Sequence, residues 1–354
     1  MGDRGPGAFL PAAQSRSPHG IGTAEPRGCR QARGTTPPYA DGVTNTRRQV
    51  LRLAQLALGL QVLLVVSGTA VRVTGSGLGC PTWPRCTGGS LASTAALGGH
   101  GAIEFGNRLL AVGMELVGIA LVVAVVRARG PQSWRRLALV QAMVVPLQAV
   151  VGGLLVLSGL NPYVLILHFL ASFPLIVAAA ALVQRVHEND ASREPLARAE
   201  LRWLTRGLVG TSALVLAAGT LVTGTGPHAG DPKVARLPFS PRDVTQLHAD
   251  LVYLLVGLTI ATAVAARALA APPAVRRGAA TLVGLITLQA ALGYWQYFDG
   301  VPPALVVLHV LGAALVLTVA ARTHLATTGP LGGPPQRRSA PPSPVHVAGT
   351  ATAR

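Results

Sequence analysis

Apolar residues along this chain fall into eight runs separated by short polar or glycine- and proline-rich segments. A helix needs about 20 mostly apolar residues to cross the hydrocarbon core of a bilayer, and each run comes close to that length. The pattern therefore predicts an all-α polytopic membrane protein with eight transmembrane helices. The runs cover residues 50–70, 104–126, 135–157, 163–184, 205–223, 246–266, 279–298 and 303–321.

Composition agrees with a lipid bilayer as the surrounding medium. Half of the 354 residues are hydrophobic, 12% are charged, and the mean hydropathy is +0.47, which is too apolar for a soluble domain. A net charge of +17 would indicate nucleic-acid binding in a soluble protein. Here the arginines lie in loops and tails rather than on one folded face, so we expect no nucleic-acid partner.

The arginines also orient the chain in a plasma membrane, because arginine-rich loops stay on the cytoplasmic side. This rule places both termini inside and the loops at 71–100, 158–162, 224–245 and 299–302 outside. The arginines that carry the argument are Arg47, Arg48, Arg52, Arg127, Arg129, Arg135, Arg136, Arg185, Arg193, Arg198, Arg202, Arg206, Arg267, Arg276 and Arg277.

The eight spans divide into two units of four. We expect an N-terminal four-helix bundle over residues 47–188 and a C-terminal bundle over 205–324, joined by a cytoplasmic linker at 189–204. Residues 1–46 and 325–354 are rich in proline, glycine or arginine and are expected to be disordered cytoplasmic extensions. The first extension lacks the apolar segment of a signal peptide.

The two units repeat each other in sequence. GTAVRVTGSG at 68–77 resembles GTLVTGTG at 219–226, and QAVVG at 148–152 resembles QAALG at 289–293. Because each unit has an even number of spans, both have the same orientation and should be related by a pseudo-twofold axis along the membrane normal. The predicted architecture is two pseudo-twofold-related four-helix bundles.

Four histidines occupy similar places in the two units, near the outer end of the second and the fourth helix of each. An ionisable residue within a span is costly and indicates function. Paired histidines on facing helices of a bundle suit axial ligation of haem iron, which predicts one haem per bundle. Hydrogen bonds between helices are one alternative; zinc or copper is another, although two ligands leave either ion undercoordinated. The histidines are His100, His168, His248 and His309.

A carboxylate distinguishes the first unit from the second. Glu104 follows His100 by four residues, on the same helical face and one turn deeper, whereas Val252 occupies the place four residues after His248. A glutamate beside a haem in a site of low dielectric constant can act as a general base. An ion pair with Arg108, four residues further on, is the alternative.

Cysteines in the first outer loop favour a disulfide. Cys80 and Cys86 flank the segment PTWPR, on the side where an oxidising compartment permits the bond. A metal site is the alternative, but no paired histidine motif accompanies the two thiols. Cys29 falls in the inner extension and should remain a thiol.

Taken together, RVTGSGLGCPTWPRC, IEFGNR, the QAVVGG and QAALG repeats and the matched histidines resemble the haem A synthase family, the bacterial CtaA and mitochondrial Cox15 group. The resemblance covers residues 48–322. It implies an oxidoreductase that oxidises the C8 methyl group of haem O to a formyl group, through hydroxylated intermediates. The product would be haem A for terminal oxidases.

The same resemblance implies roles for individual parts of the chain. The N-terminal bundle would hold the substrate haem O and the C-terminal bundle a haem b. Glu104 would assist the attack of a water-derived oxygen, and Cys80 and Cys86 would form an outer-loop disulfide. Haem O synthase, the protohaem farnesyltransferase, is the candidate protein partner; direct transfer from it and a homo-oligomeric state are left open.

One position departs from the family pattern. Many members have a histidine three residues after the motif glutamate, where this chain has Asn107. His100 and Asn107 differ by only about 20° around the helix but by about 10 Å along it. Either His100 replaces the usual ligand, which is the interpretation favoured here, or His168 alone ligates the first haem.

Other polar residues near the predicted sites have less specific assignments. Arg72 and Arg108 could pair with haem propionates, since guanidinium binds carboxylate in a bidentate manner; for Arg72 a topological role is equally open. His228, in an outer loop, could contact a propionate or a quinone. Glu115 is expected to pair with Gln141 of the next span, with proton relay as the alternative.

Two other functions fit part of the pattern. A bis-histidine membrane cytochrome for electron transfer would use the same four histidines but would leave Glu104 without a role. A haem transporter would account for the parallel repeats, but it would leave the matched ligands without a catalytic task.

Overall fold

The computed structural model describes residues 38–189, 193–228 and 234–330, with side-chain surroundings from residue 45 onward. Most of both predicted extensions, including Cys29, lies outside the described residues. The helices are α1 Pro38–Val73, α2 Gly98–Arg127, α3 Gln132–Leu157, α4 Pro162–Leu170, α5 Ser172–His187, α6 Ala199–Thr225, α7 Pro241–Ala268, α8 Pro273–Phe298 and α9 Pro303–Leu325, with a 3₁₀ turn at Ala95–Leu97; the strands are β1 Arg193–Pro195 and β2 Thr328–Pro330.

Eight helical segments of the described chain are long and apolar enough to cross a membrane, which confirms the predicted spans and the all-α membrane class. Several helices continue beyond their apolar runs. The fifth span begins at Ala199, within the range expected to be a linker, and β1 occupies part of that range as well. The difference arises because an apolar run marks only the part of a helix that faces hydrocarbon.

The fourth span consists of two helices, α4 and α5, with a break at Ala171. Pro174 has no backbone N–H, so the carbonyl of Leu170 loses the helical hydrogen bond that residue 174 would otherwise donate. The break follows His168 by three residues, which places this histidine on the short helix α4.

Each half of the chain closes into a ring of four spans. In the first half α1 packs on α2, α2 on α3, α3 on α5 and α5 on α1; in the second half α6 to α9 pack in the same cyclic order. Between the halves, α1 packs on α9, α4 on α6, and α5 on α9. A twofold axis exchanges the α1–α9 contact with the α4–α6 contact and maps the α5–α9 contact onto itself. This agrees with the predicted symmetry.

The apolar cores of the bundles lie mainly toward the ends remote from the loop between α1 and α2. Met114, Leu121 and Leu182 are fully buried in the first bundle, and Leu208 and Leu282 in the second. Large apolar side chains on the outside of the helices are exposed, as lipid-facing residues of a membrane protein are. Near the α1–α2 loop the helices pack through polar and glycine-rich segments. The candidate site lies in this region.

Candidate functional site

His248 and His309 face each other across the C-terminal bundle, on the diagonally opposed helices α7 and α9. Their ring centroids are 6.4 Å apart. Nδ1 of His248 lies 3.0 Å from the backbone oxygen of Val215, so its Nε2 is free for another partner. Nδ1 of His309 is buried without a hydrogen-bond partner among the described residues.

The separation of these two rings suits a metal ion between them. A metal–imidazole bond is about 2 Å long, and each ring nitrogen lies about 1 Å from its ring centre, so two axial imidazoles have centroids about 6 Å apart. The observed 6.4 Å and the unpartnered nitrogen of His309 fit axial ligation of a haem iron.

A glutamine holds the fourth-helix histidine in each bundle. Gln289 Nε2 donates a hydrogen bond of 2.8 Å to the backbone oxygen of His309, and Gln148 Nε2 donates one of 2.9 Å to that of His168. The equal glutamine-to-histidine interval in the two halves therefore has a physical cause, which the sequence comparison did not supply.

A glycine also approaches each of these histidines. A Cβ atom on Gly152 would lie 3.2 Å from Cε1 of His168, and one on Gly293 would lie 3.6 Å from Cε1 of His309. The absence of a side chain on the neighbouring helix gives each imidazole its room. Each of the QAVVG and QAALG segments thus supplies a hydrogen-bond donor, its glutamine, and room for the imidazole, at its glycine.

The N-terminal bundle presents His168 in the same way, with Nδ1 buried and unpartnered among the described residues. His100 lies elsewhere. Its side chain is exposed, and its Nδ1 is 2.9 Å from the hydroxyl oxygen of Ser76 in the outer loop. Asn107, about two turns further into the bundle, has its Oδ1 2.7 Å from the hydroxyl oxygen of Ser67 on α1.

Glu104 is buried, with 4% of its surface exposed, and both carboxylate oxygens are bound. Oε1 lies 2.5 Å from Nη2 of Arg108, and Oε2 accepts a hydrogen bond of 2.7 Å from the backbone N–H of Cys80. The ion pair considered from the sequence is therefore present. The carboxylate also fastens the outer loop to α2, which the sequence did not indicate.

Arg108 directs its remaining hydrogen bonds into the same loop. Its Nη1 donates to the backbone oxygens of Thr82 and Arg85 at 3.0 and 3.3 Å, and its Nη2 donates to that of Cys80 at 3.1 Å. Arg72 is different: Nη2 donates to Thr223 at 2.8 Å, while its Nε is buried without a partner among the described residues. Of the two arginines, Arg72 retains the unused buried donor.

The loop between α1 and α2 is closed by a disulfide between Cys80 and Cys86, as predicted. The bond consumes both thiols, so the alternative of a metal site at this pair is wrong. Among the described residues there is also no cluster of three or more histidine, cysteine or acidic side chains arranged for a metal ion. The ring of Trp83 packs so closely on Gly153 that a Cβ there would lie 2.4 Å from it, and the loop thereby covers the mouth of the first bundle.

The remaining polar residues make structural contacts. Gln141 binds Gln61 and the backbone oxygen of Leu175, so the expected Glu115–Gln141 pair is wrong, and Oε2 of Glu115 has no partner among the described residues. His228 joins two outer loops, because its Nε2 lies 2.7 Å from the backbone oxygen of Val301.

Several known proteins with similar sequences are named heme A synthase. Those from Bacillus cereus strains G9842 and 03BB102 are 24% and 25% identical to this chain, and that from Bacillus anthracis is 25% identical; each match spans 271 residues, which is 73% of this chain and 86% of the relative. Residues 51–321 match the COX15-CtaA family of cytochrome oxidase assembly proteins, and the chain belongs to that family.

Proposed function

We propose that this protein is a haem A synthase, an oxidoreductase that converts the C8 methyl group of haem O into the formyl group of haem A. The observation that carries the proposal is the buried Glu104, which lies at the mouth of one histidine-bearing bundle. The interval of 141 residues between His168 and His309 relates it to Thr245, which has no carboxylate, in the other bundle. Membership of the family and the names of the relatives support it.

The C-terminal bundle is assigned to a resident haem b. His248 and His309 would hold it, with Gln289 fixing the helix that carries His309. When bound, haem b supplies one-electron redox chemistry. The protein contributes two imidazoles on the diagonally opposed helices α7 and α9.

The N-terminal bundle is assigned to the substrate haem O, held through His168. Arg72, with a buried and unused Nε, is the candidate partner of a propionate, since a guanidinium donor and a carboxylate form a charge-assisted hydrogen bond.

Glu104 is assigned the role of general base. Its two fixed contacts with Arg108 and Cys80 hold the carboxylate at one place at the mouth of the substrate bundle, where it can accept a proton from a water molecule. General base catalysis of this kind typically contributes about 10²–10⁴-fold to a rate.

Orientation and partners follow from the same assignment. The disulfide loop belongs outside and the arginine-rich loops inside, so both termini would be cytoplasmic in a plasma membrane. Haem O synthase is the enzyme that must supply the substrate, and a complex with it would spare an insoluble haem from crossing water.

The test uses a host that lacks its own haem A synthase and co-expresses a haem O synthase with this protein. Extracted haem is resolved by chromatography and mass. The wild-type chain should yield haem A or hydroxylated haem O. Glu104→Gln should accumulate haem O while the protein still carries haem, and Glu115→Gln, on the same helix, is the matched control that should retain the product.

A different outcome would reassign the protein. If wild-type and Glu104→Gln chains both carried only haem B and left haem O unchanged, the synthase assignment would fail. An electron-transfer cytochrome would then account better for the four-span repeats and their histidines.

A further inference from the structure

The two bundles can be aligned by residues that make the same contacts. Gln148 and Gln289, which bind the backbone oxygen of the histidine 20 residues later, are 141 positions apart in the sequence. His168 and His309 are also separated by 141 positions. Applied to the second helix, the same interval relates His248 to Asn107 and not to His100.

Contacts with the first helix of each bundle support this alignment. His248 Nδ1 lies 3.0 Å from the backbone oxygen of Val215. In the other bundle, Ser67 Oγ lies 2.7 Å from Asn107 Oδ1 and 3.1 Å from the backbone oxygen of Leu64. Asn107 therefore reaches, through one hydroxyl group, the part of α1 that corresponds to the part of α6 beside His248.

A pair of glycines shows the same correspondence. Gly68 and Gly219 each begin a Gly-Thr pair in the matched segments near the outer ends of α1 and α6. A Cβ on Gly219 would lie 3.3 Å from Cε1 of His248, whereas a Cβ on Gly68 would meet no atom within 4 Å. This difference is expected if Asn107 takes the place of a histidine, because its amide is shorter than an imidazole and does not reach Gly68.

His100 is held in the outer loop region by its backbone as well as its side chain. A Cβ on Gly79 would lie 2.2 Å from the backbone oxygen of His100, so the loop and the start of α2 pack backbone to backbone. Its imidazole is exposed and contacts Ser76. Moving it by the about 10 Å that separates it from Asn107 along the helix would require this packing to be lost.

We infer that Asn107 stands opposite His168 in the N-terminal bundle, so that a haem iron held there through His168 would have one protein ligand and one open position. This inference rests on the proposed binding of a haem in each bundle. Imidazole suits iron, whereas an amide oxygen is a ligand for harder cations. The amide instead offers hydrogen bonds to a small neutral molecule bound at the open position, such as water or a diatomic gas.

Carbon monoxide tests the inference without measuring synthase activity. The purified chain is loaded with haem B until it carries two haems, reduced with dithionite and titrated with carbon monoxide. One carbon monoxide per chain should bind, because bis-imidazole iron in the C-terminal bundle has no open position. The oxidised protein should show one high-spin and one low-spin haem by electron paramagnetic resonance.

Three variants identify the residue responsible. Asn107→His should complete the axial pair, lower carbon monoxide binding at least tenfold and convert the high-spin signal to low-spin. Asn107→Ala and His100→Ala should both leave the stoichiometry at one. The alanine variants decide the matter even if Asn107→His does not fold.

Two low-spin haems and no carbon monoxide binding in the wild type would overturn the inference, above all if His100→Ala then acquired binding. Failure to retain a second haem after loading would overturn it as well. Haem A formation by a chain that binds no carbon monoxide would refute only the open position. Carbon monoxide binding by a chain that makes no haem A would refute only the synthase assignment.

Discussion

Gln289 of α8 donates a hydrogen bond of 2.8 Å to the backbone oxygen of His309 on α9, and Gln148 repeats the contact with His168 at 2.9 Å. In each bundle the third span therefore positions the histidine of the fourth. Residues that orient a ligand in this way commonly change metal affinity by about 10–100-fold when replaced.

Gln289→Leu should weaken haem retention in the C-terminal bundle by about tenfold, and Gln148→Leu should do so in the N-terminal bundle. Leucine fills a similar volume but cannot donate the hydrogen bond. The rate of haem transfer to apomyoglobin, with the two haems distinguished by their spectra, measures the effect. Equal loss from both bundles in either variant would contradict a local role for the glutamine.

Gly219→Ala should disturb the haem of the C-terminal bundle, because the new methyl group lies 3.3 Å from Cε1 of His248 and must displace the ring slightly. Gly68→Ala is the matched control, since its methyl group meets no atom within 4 Å. Low-spin g-values should shift in the first variant and not in the second. A shift of the same size in both would show that the glycines act through helix geometry instead.

Arg108→Met should destabilise the protein by about 3 kcal/mol, because it leaves the carboxylate of Glu104 buried without its ion-pair partner. Thermal denaturation in detergent measures the change as a fall in the midpoint of about 5 °C or more. The control is Arg85→Ala, because the exposed guanidinium of Arg85 donates a hydrogen bond to the backbone oxygen of Gly88 within the same loop. This variant should change the midpoint little.

A second replacement separates lost charge pairing from lost loop contacts. If the ion pair accounts for the effect, Glu104→Gln in the Arg108→Met background should recover part of the midpoint, since no unpaired carboxylate remains. No recovery would assign the destabilisation to the hydrogen bonds between Arg108 and the loop.

Cys80 and Cys86 should react with a membrane-impermeant maleimide in spheroplasts only after reduction of their disulfide. Cys29 should react only after the membrane is opened, since the predicted topology places it inside. Mass spectrometry of labelled peptides distinguishes the sites. Labelling of Cys29 in intact spheroplasts would reverse the proposed orientation.

The eight spans could be predicted because each needs a continuous apolar segment of a length that the bilayer fixes. The matched pair His168 and His309 could be recognised because each follows the glutamine of a repeated segment by 20 residues. For the second helix, pairing residues by type led to His100, although 41 residues separate Asn107 from Gln148 and His248 from Gln289 alike. The equal interval, and not the residue type, identifies Asn107 as the counterpart of His248.

The contacts of Glu104 could not be predicted in the same way. The hydrogen bond from the backbone of Cys80 depends on how an irregular loop folds back over α2, and such a loop has no period from which to read its path. The sequence supplied the pair with Arg108 because helical neighbours four residues apart meet by geometry.

The contact between α5 and α9 lies where the pseudo-twofold axis maps the interface onto itself, as the isologous contact of a dimer does. In a dimer of identical four-span chains, any substitution would appear in both sites at once, so a carboxylate or an amide could not be confined to one of them. Joining the two copies in one polypeptide removes that constraint. A single chain can therefore specialise one bundle for a substrate while the other bundle keeps a ligand that stays bound.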